Sequence, residues 1–268
     1  MNRYKVDIIG LGNKGAVADA PGSGNMRKYL SYCHAVKDHP GFCISGLYDK
    51  DLEKVEAAQR IWGSCSGMPG DVVIIATPDE YHYEYLRACA GLDNPPKLVI
   101  CEKPLCTKVE QAKEIHRLYR KKGIPLMVDY TRRFIPYWRD KQAEVIYAGE
   151  FLSGYCYYNR GAWHTLSHFI DLALWFGARF EDIQIKEIQP DYQWVFEWGL
   201  FYENDFYHEQ AANKTQGEKP NSIYDNHLKY VMENAYNFLE GKEDLLCTGA
   251  DGLFALVATN QIMERVGK

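Results

Sequence analysis

Short apolar runs alternate with stretches of helical spacing through the first half of the chain. The apolar runs, which predict strands, are residues 4–10, 42–48, 71–77, 97–101 and 126–130. The intervening stretches, which predict helices, are residues 26–37, 52–62, 80–90 and 109–121. Strands of this kind alternating with helices are typical of a parallel sheet covered on both faces. The pattern therefore predicts a doubly wound α/β domain over residues 1–125.

The pattern changes after residue 148. Residues 151–158, 183–189 and 193–208 are long, aromatic-rich and strand-like, and a helical stretch at 164–176 lies between the first two. This order predicts an open, mostly antiparallel sheet with one helix against it, in a second α+β domain over residues 126–268. The remaining predictions are a polar loop at 211–221 and helices at 222–240 and 250–266, the last of which could pack back on the first domain.

Composition narrows the function classes. The 268 residues carry a formal charge of −5 without a long basic run, which argues against a nucleic-acid partner. The longest apolar stretches fall short of the ~20 residues of a membrane span, and the N-terminus lacks the apolar segment of a signal peptide. The eight cysteines are scattered without a C-x-x-C pair. We therefore expect a cytoplasmic protein with reduced thiols and no membrane partner.

A glycine motif follows the first predicted strand. Residues 10–15 read G-L-G-N-K-G, which fits G-x-G-x-x-G. Glycines at these positions allow a tight turn and close backbone approach to a pyrophosphate, and the next helix would present its N-terminus to that anion. We expect the dinucleotide to be bound here, by Gly10, Gly12, Asn13, Lys14 and Gly15.

Asp49 ends the second predicted strand. A carboxylate there would accept hydrogen bonds from the adenosine ribose and repel a 2′-phosphate, which favours NAD; Lys50 weakens this preference, so NADP stays open. The alternative is that Asp49 only starts a turn with Asp51. Asp49 lies 39 positions after Gly10, against the ~20 usually expected. The surplus lies in residues 16–26, which predict a loop near the diphosphate or over the mouth of the site.

Further polar residues follow the third and fourth predicted strands. The carboxyl ends of parallel strands line the ligand crevice of such sheets. Lys103 follows the fourth predicted strand. It is either a surface lysine, whose ammonium reaches water, or a lysine directed at a ligand in this crevice. The remaining candidates for cofactor contact at this edge are Thr77, Pro78, His82 and Glu102.

The helical stretch at 164–176 carries two histidines and an aspartate. His164, His168 and Asp171 are spaced to share one helical face. Three interpretations compete: a half-buried structural helix, a zinc site, and an imidazole for acid–base chemistry. Thr165 stands where a zinc peptidase helix has glutamate, and no third ligand is evident, so we predict no metal.

Together these motifs resemble the Gfo/Idh/MocA oxidoreductases, named for glucose-fructose oxidoreductase and inositol dehydrogenase. The resemblance rests on E-K-P at 102–104, the N-terminal G-x-G-x-x-G, G-x₆-H-x-x-D at 161–171, and residues 128–136, which look like the link between the family's domains. It implies a Rossmann domain followed by an open antiparallel sheet, and hydride transfer between nicotinamide and a substrate carbon. The sheet's outer face would form a homodimer or homotetramer.

The resemblance also implies roles for single residues. Lys103 would hydrogen-bond the reacting oxygen of the substrate, and His168 would exchange the hydroxyl proton. The Lys103–Pro104 bond is typically cis in this family. The residues expected to contact the substrate are His164, Tyr130, Arg133 and Asp171, although Tyr130 and Arg133 could instead form a hinge between the domains.

The sequence thus predicts an NAD(P)-dependent dehydrogenase or reductase. Its substrate would be a hydroxyl or keto carbon of a sugar, nucleotide sugar or polyol. Two departures from the family leave alternatives open: the second domain is short, and His164 stands where many members carry aspartate. The alternatives are a reductase of a non-sugar substrate, such as a tetrapyrrole or an imine, and a catalytically inactive nucleotide-binding sensor or assembly subunit.

Overall fold

The computed structural model describes residues 3–24, 28–64, 70–145, 147–158, 162–178, 194–204, 206–212 and 226–266. The strands are β1 (Tyr4–Ile9), β2 (Phe42–Tyr48), β3 (Val72–Ile75), β4 (Leu98–Glu102), β5 (Leu126–Asp129), β6 (Phe151–Tyr158), β7 (Trp194–Tyr202) and β8 (Phe206–Ala212). The α-helices are α1 (Tyr32–Asp38), α2 (Leu52–Trp62), α3 (His82–Gly91), α4 (Val109–Lys122), α5 (Pro136–Val145), α6 (Ser167–Trp175), α7 (His227–Leu239) and α8 (Gly249–Val266).

The first sheet is parallel throughout. Within the described residues it has five strands in the order β2-β1-β3-β4-β5. Every residue of β3, β4 and β5 is buried, as expected for strands covered on both faces. The predicted α/β class is confirmed. In the register of β4 and β5, Glu102 lies opposite Asp129, so two carboxylates meet at the carboxyl edge of the sheet.

The second sheet is antiparallel, as predicted. Its described strands run in the order β6-β7-β8. The single strand predicted at 193–208 is wrong, because the chain reverses after Tyr202 and forms the hairpin of β7 and β8. The strand predicted at 183–189 lies outside the described residues, as do residues 213–221 of the predicted loop; residues 211 and 212 end β8.

The helix predicted at 26–37 is shorter than expected, because α1 begins only at Tyr32. Ser31 caps it: its Oγ accepts a hydrogen bond from the His34 N–H. Before this cap Tyr29 has a φ of 57°, which an α-helix does not allow. The N–H of Leu30 donates to the Asp19 carboxylate at 2.7 Å, so an acidic side chain binds the backbone inside the segment predicted as helical.

The chain forms two compact units whose limits differ from the predicted domains. The first unit comprises Met1–Ile135 and Ile223–Leu253, and the second comprises Pro136–Ser222 and Phe254–Lys268. The predicted limit after residue 125 would separate β5 from the parallel sheet, in which it pairs with β4. It also places α7 in the second domain, whereas the structure places α7 in the first unit, where it packs against α1.

Helix α5 was not predicted. Pro136 starts it, a position where the missing N–H of proline does no harm, and Trp138 is its buried residue. The helical stretch predicted at 164–176 divides into a π-helical turn, Ala162–Leu166, followed by α6. Among the helices of the described residues, none has both the length and the apolar character that a bilayer span requires.

Candidate active site

The glycine turn that follows β1 is built as the motif requires. Gly10 has a φ of 92°, and a Cβ there would lie 2.6 Å from the backbone carbonyl carbon of Ala76. A Cβ on Gly15 would collide with the carbonyl oxygen of Gly10. A Cβ on Gly12 would meet nothing within 4 Å. The first and third glycines therefore serve close packing, and the second faces open space that a diphosphate could fill.

Asp49 stands beside this turn. Its Oδ2 accepts a hydrogen bond from the Leu11 N–H at 2.8 Å, and its Oδ1 accepts one from the Asp51 N–H at 3.0 Å. Burial opposes ionisation of this carboxyl, but the two backbone donors bring its pKa below the ordinary value. The result is a charged carboxylate with lone pairs left for ribose hydroxyls.

The turn does not continue into a long helix. Residues Asn13–Val17 form a five-residue π-helical turn, and α1 starts only at Tyr32. The expected helix N-terminus facing the anion is therefore reduced to one short turn, because the chain of residues 18–31 separates it from α1. This is a departure from the arrangement that the motif predicts.

A cavity of about 560 Å³ opens next to the turn. This volume lies within the roughly 300–1,000 Å³ of small-molecule sites. Thr77 Oγ1 is buried and has no hydrogen-bond partner within the described residues, as expected for a group that a ligand completes. The cavity wall includes five predicted cofactor-site positions or their neighbours, namely Gly10, Asp49, Lys50, Thr77 and Pro78. Their convergence fits a bound dinucleotide.

A cluster of charged residues lies at the ends of β4 and β5. Lys14 Nζ lies 3.6 Å from Glu102 Oε1 and 3.0 Å from His227 Nε2. The Tyr32 hydroxyl donates to Asp129 Oδ2 at 2.9 Å. The cluster thus joins the glycine turn, the strand end before Lys103 and the first residue of α7. It places a predicted cofactor contact, Lys14, directly beside another, Glu102.

Burial brings the pKa values of Glu102 and Lys103 closer together. Burial raises the pKa of Glu102 above its ordinary value, and the Lys14 ammonium opposes this shift. Burial also lowers the pKa of Lys103, although the charges of Glu102 and Asp79 oppose it. Shifts of this kind are common in acid–base sites. The Lys103–Pro104 bond is cis, as the resemblance implies.

His82 begins α3 at the carboxyl edge of the sheet, where it was expected. Its ring is fully buried, with Nδ1 2.7 Å from the Pro104 carbonyl oxygen and Nε2 3.0 Å from the Thr77 carbonyl oxygen. Both ring nitrogens therefore face the backbone that follows β3 and β4. His82 thus lies between these two strand ends, and its role as a cofactor contact stays a prediction.

Arg133 and Tyr130 are buried in the first unit. Arg133 Nη1 donates to Asp251 Oδ1 at 2.8 Å, and Asp251 also accepts a hydrogen bond from the Thr248 N–H. Tyr130 is 1% exposed. Their role as substrate contacts and the alternative of a hinge between the domains both stay predictions.

The two histidines belong to the second unit. His164 is exposed and lies in the π-helical turn, whereas His168 is half-buried in α6 and Asp171 is buried. The π-helical turn alters the rotation per residue, so the α-helical spacing used to place all three on one face does not hold across it. No group of three metal-ligating side chains occurs among the described residues. Lys103 belongs to the first unit and His168 to the second.

Sequence reasoning missed three members of the charged cluster. Asp129 had a usable signal, because it ends β5 as Glu102 ends β4. Tyr32 and His227 had none. His227 lies 213 positions from Lys14, and only the position of α7 in the first unit brings the two together.

Comparison with known proteins agrees with this geometry. Residues 5–130 match the sequence model of the oxidoreductase family GFO_IDH_MocA, with an NAD-binding Rossmann fold. A segment of 105 residues is 45% identical to inositol 2-dehydrogenase of Mycolicibacterium gilvum, covering 35% of this chain and 29% of that protein. The matched segments thus span less than a third of the length of such curated relatives.

Two solved structures share the fold over nearly the whole chain. Scyllo-inositol dehydrogenase of Lactobacillus casei, with bound NAD(H) and scyllo-inositol, matches with a TM-score of 0.74 at 15% identity, covering 98% of this chain and 96% of that one. The WlbA dehydrogenase of Bordetella pertussis, in complex with NADH and UDP-GlcNAcA, matches with a TM-score of 0.73 at 14% identity, covering 100% and 98%. Over residues 5–130, the part that forms the parallel sheet, the chain is similar to the Gfo/Idh/MocA oxidoreductase family.

Proposed function

We propose that this protein is an NAD-dependent dehydrogenase or reductase acting on the hydroxyl or keto carbon of a polyol, sugar or nucleotide sugar. The observation that carries the proposal is the position of Lys103. It follows β4 at the carboxyl edge of the parallel sheet, directly after Glu102, which lies beside Lys14 of the glycine turn. An amine at this position lies at the edge of the sheet where a Rossmann domain binds its cofactor.

Lys103 suits the stabilisation of a reacting oxygen. Burial lowers its pKa, so its ammonium gives up or shares a proton more readily than a surface lysine does. NAD⁺ bound at the glycine turn would supply the acceptor for the hydride that leaves the substrate carbon. The ammonium of Lys103 donates a hydrogen bond to the substrate oxygen as negative charge develops on it. This hydrogen bond is stronger in the transition state than in the ground state, so it lowers the reaction barrier.

We assign the hydroxyl proton to His168. An imidazole has a proton affinity suited to exchange near neutral pH, and α6 holds His168 half-buried. In the oxidation His168 accepts the proton, and in the reduction it returns it. The assignment follows from the family resemblance of residues 161–171, and His164 and Asp171 are proposed as substrate contacts on the same ground.

The relatives support a substrate class for this proposal. Four curated proteins that match part of the chain are inositol 2-dehydrogenases, and one structural neighbour was solved with UDP-GlcNAcA. Inositol and the sugar ring of UDP-GlcNAcA both carry neighbouring hydroxyls on a six-membered ring. We therefore propose a cyclic polyol or a hexose-based nucleotide sugar. The homodimer or homotetramer through the second sheet, and the cytoplasmic location, stay predictions.

The test couples binding to turnover. NADH and NADPH affinities are measured by fluorescence, and hydride transfer is followed at the nicotinamide absorbance with myo-inositol, scyllo-inositol and UDP-linked hexoses. Lys103→Met is expected to lower kcat/KM by about 10²–10⁴-fold while leaving NADH affinity within a few-fold. Lys108→Met, which alters an exposed lysine nearby, is the matched control and should retain activity.

Three results would overturn the proposal. Full turnover in Lys103→Met would remove Lys103 from the chemistry. Tight NADH binding without hydride transfer to any of these substrates would favour the nucleotide-binding sensor or assembly subunit. Turnover of an imine or a tetrapyrrole alone would favour the non-sugar reductase.

A further inference from the structure

The glycine turn lacks the helix that normally supplies positive charge to a diphosphate. In a Rossmann domain the anion lies at the N-terminus of the helix that follows the glycines, where free N–H groups and the helix dipole favour negative charge. Here that helix is interrupted after the π-helical turn Asn13–Val17. A single short turn carries a much smaller dipole than a full helix, because the dipole is the sum over aligned peptide units.

The N-terminus of α1 is already compensated by a side chain of the protein. The Asp19 carboxylate accepts hydrogen bonds from the Leu30 N–H and the Ser31 hydroxyl, at the residues that immediately precede α1. It also lies 2.8 Å from His34 Nδ1, within the first turn of α1. Asp19 is 8% exposed, so this charge is fixed inside the protein. The positive end of α1 is thus matched by Asp19 and is not left for a ligand.

Lys14 is placed to replace the missing charge. It lies between the second and third glycines, and its side chain remains 41% exposed. Its ammonium has three donors, and the two neighbours, His227 Nε2 and Glu102 Oε1, take at most two of them. Burial opposes charge on Lys14, but Glu102 and Asp129 together raise its pKa, so the ammonium stays protonated.

The contact with His227 defines the state of that histidine. Because a protonated lysine can only donate, Nε2 of His227 must accept, and the ring proton must lie on Nδ1. His227 is the first residue of α7, a position where the helix dipole disfavours an imidazolium. The neutral ring therefore provides a fixed acceptor that orients the ammonium without neutralising its charge.

We infer that Lys14 supplies the positive charge facing the cofactor diphosphate, and that His227 is a positioning residue that holds the Lys14 ammonium for this contact. The inference rests on the proposed function, because it concerns the same nucleotide site. A flexible lysine must be ordered when it binds an anion, and a side chain that is already held loses less conformational entropy. His227 thus assists binding through preorganisation.

The test measures dissociation constants of NADH and of ADP-ribose, which has the diphosphate but not the nicotinamide. Lys14→Met should weaken both by about tenfold or more, as expected for a lost charge-assisted hydrogen bond. His227→Leu should weaken both equally, by about two- to tenfold, the range for one side chain that must be ordered on binding. His227→Gln keeps an acceptor oxygen and should recover most of the affinity.

The double variant distinguishes positioning from a general structural effect. If His227 acts through Lys14, Lys14→Met combined with His227→Leu should be no weaker than Lys14→Met alone. His39→Gln is the matched control, because His39 Nε2 also contacts α7, at Glu233, but lies away from the glycine turn. It should leave both dissociation constants unchanged.

Each other outcome overturns the inference. Unchanged affinity in His227→Leu, additive effects in the double variant, or a loss of NADH affinity without a loss for ADP-ribose would each remove His227 from the diphosphate contact while the proposed function stands. A wild-type protein that binds neither NADH nor ADP-ribose would overturn the proposed function together with this inference. Thermal unfolding of each variant, alongside the His227→Gln recovery, separates these results from misfolding.

Discussion

Arg133 and Lys14 are two basic residues of the first unit that were both predicted to contact ligands, and the structure treats them differently. The Arg133 side chain is 4% exposed and donates to Asp251 at 2.8 Å. The Lys14 side chain is 41% exposed, and its nearest carboxylate oxygen, on Glu102, is 3.6 Å away. Asp251 is in turn satisfied by the N–H and hydroxyl of Thr248.

The difference teaches how a structural ion pair can be told from a ligand contact. Arg133 and Asp251 satisfy one another, so the pair links the segment after β5 to the start of α8. Lys14 keeps a donor and an accessible surface at the carboxyl edge of the sheet, where ligands of this fold bind. Residue type and motif position alone did not separate the two, because both basic residues stood in segments that resemble the family.

The largest effect expected from this comparison is on stability. Arg133→Met leaves Asp251 without its cation, and breaking a buried pair costs about 3–5 kcal/mol. Because Asp251 is 31% exposed, we expect the lower end of that range. Lys14→Met should cost less, about 1–2 kcal/mol, because its 3.6 Å pair is longer and Glu102, whose pKa burial already raises, can take up a proton. Urea unfolding followed by circular dichroism measures both.

Arg117→Met provides the control for the loss of one positive charge, because Arg117 is exposed on α4 in the same unit. It should remain within about 0.5 kcal/mol of the wild type. If Arg133→Met were equally stable but failed to turn over substrate, Arg133 would be a substrate contact after all, and the distinction drawn from exposure would be wrong.

A smaller effect is expected at Asp49, where charge decides between cofactors. Asp49→Asn keeps an oxygen for the Leu11 N–H but removes the charge that would repel a 2′-phosphate. We expect the ratio of NADPH to NADH affinity to rise by about tenfold, which corresponds to 1.4 kcal/mol. Equilibrium binding of both nucleotides by fluorescence gives the ratio.

Asp51→Asn is the matched control for that change. Asp51 lies two residues further on and caps α2 by accepting from the Glu53 N–H, which asparagine can also do. Its ratio of affinities should equal that of the wild type. An equal rise in both variants would mean that general surface charge, rather than the carboxylate beside the glycine turn, sets the preference.

Local sequence signals predicted the elements of the first unit well. The predicted strand at 42–48 and helix at 52–62 coincide with β2 and α2, because an apolar run or an aspartate cap marks each limit. The helix predicted at 26–37 begins later than expected because Asp19, eleven residues before Leu30, accepts a hydrogen bond from the Leu30 N–H inside the predicted segment. The hydrophobic pattern of a segment contains no information about a side chain elsewhere in the sequence that binds its backbone.

The same limit applies to the site. The glycine turn and Asp49 were predicted because a few adjacent residues define them. The contact of Lys14 with His227 joins residues 213 positions apart and has no local signature. His82 is a third case: its position after β3 suggests a ligand contact, and its buried ring also lies within hydrogen-bond distance of two backbone carbonyls. The sequence could not predict these backbone contacts, and the role of His82 as a cofactor contact stays a prediction.

The smallest expected effect concerns Glu102, the carboxylate that lies beside Lys14 and directly precedes Lys103. Burial lowers the pKa of Lys103, and the charge of Glu102 opposes that shift. Glu102→Gln removes the opposition, so the pKa of Lys103 should fall further below its ordinary value. If protonated Lys103 is required for turnover, the alkaline limb of the profile of kcat/KM against pH should move to lower pH. Steady-state rates across the alkaline range measure this shift. Glu110→Gln, which changes an exposed acid on α4, is the control.

An alkaline limb that does not move in Glu102→Gln would mean that a group other than Lys103 titrates there, and the charged cluster would then act on the cofactor alone.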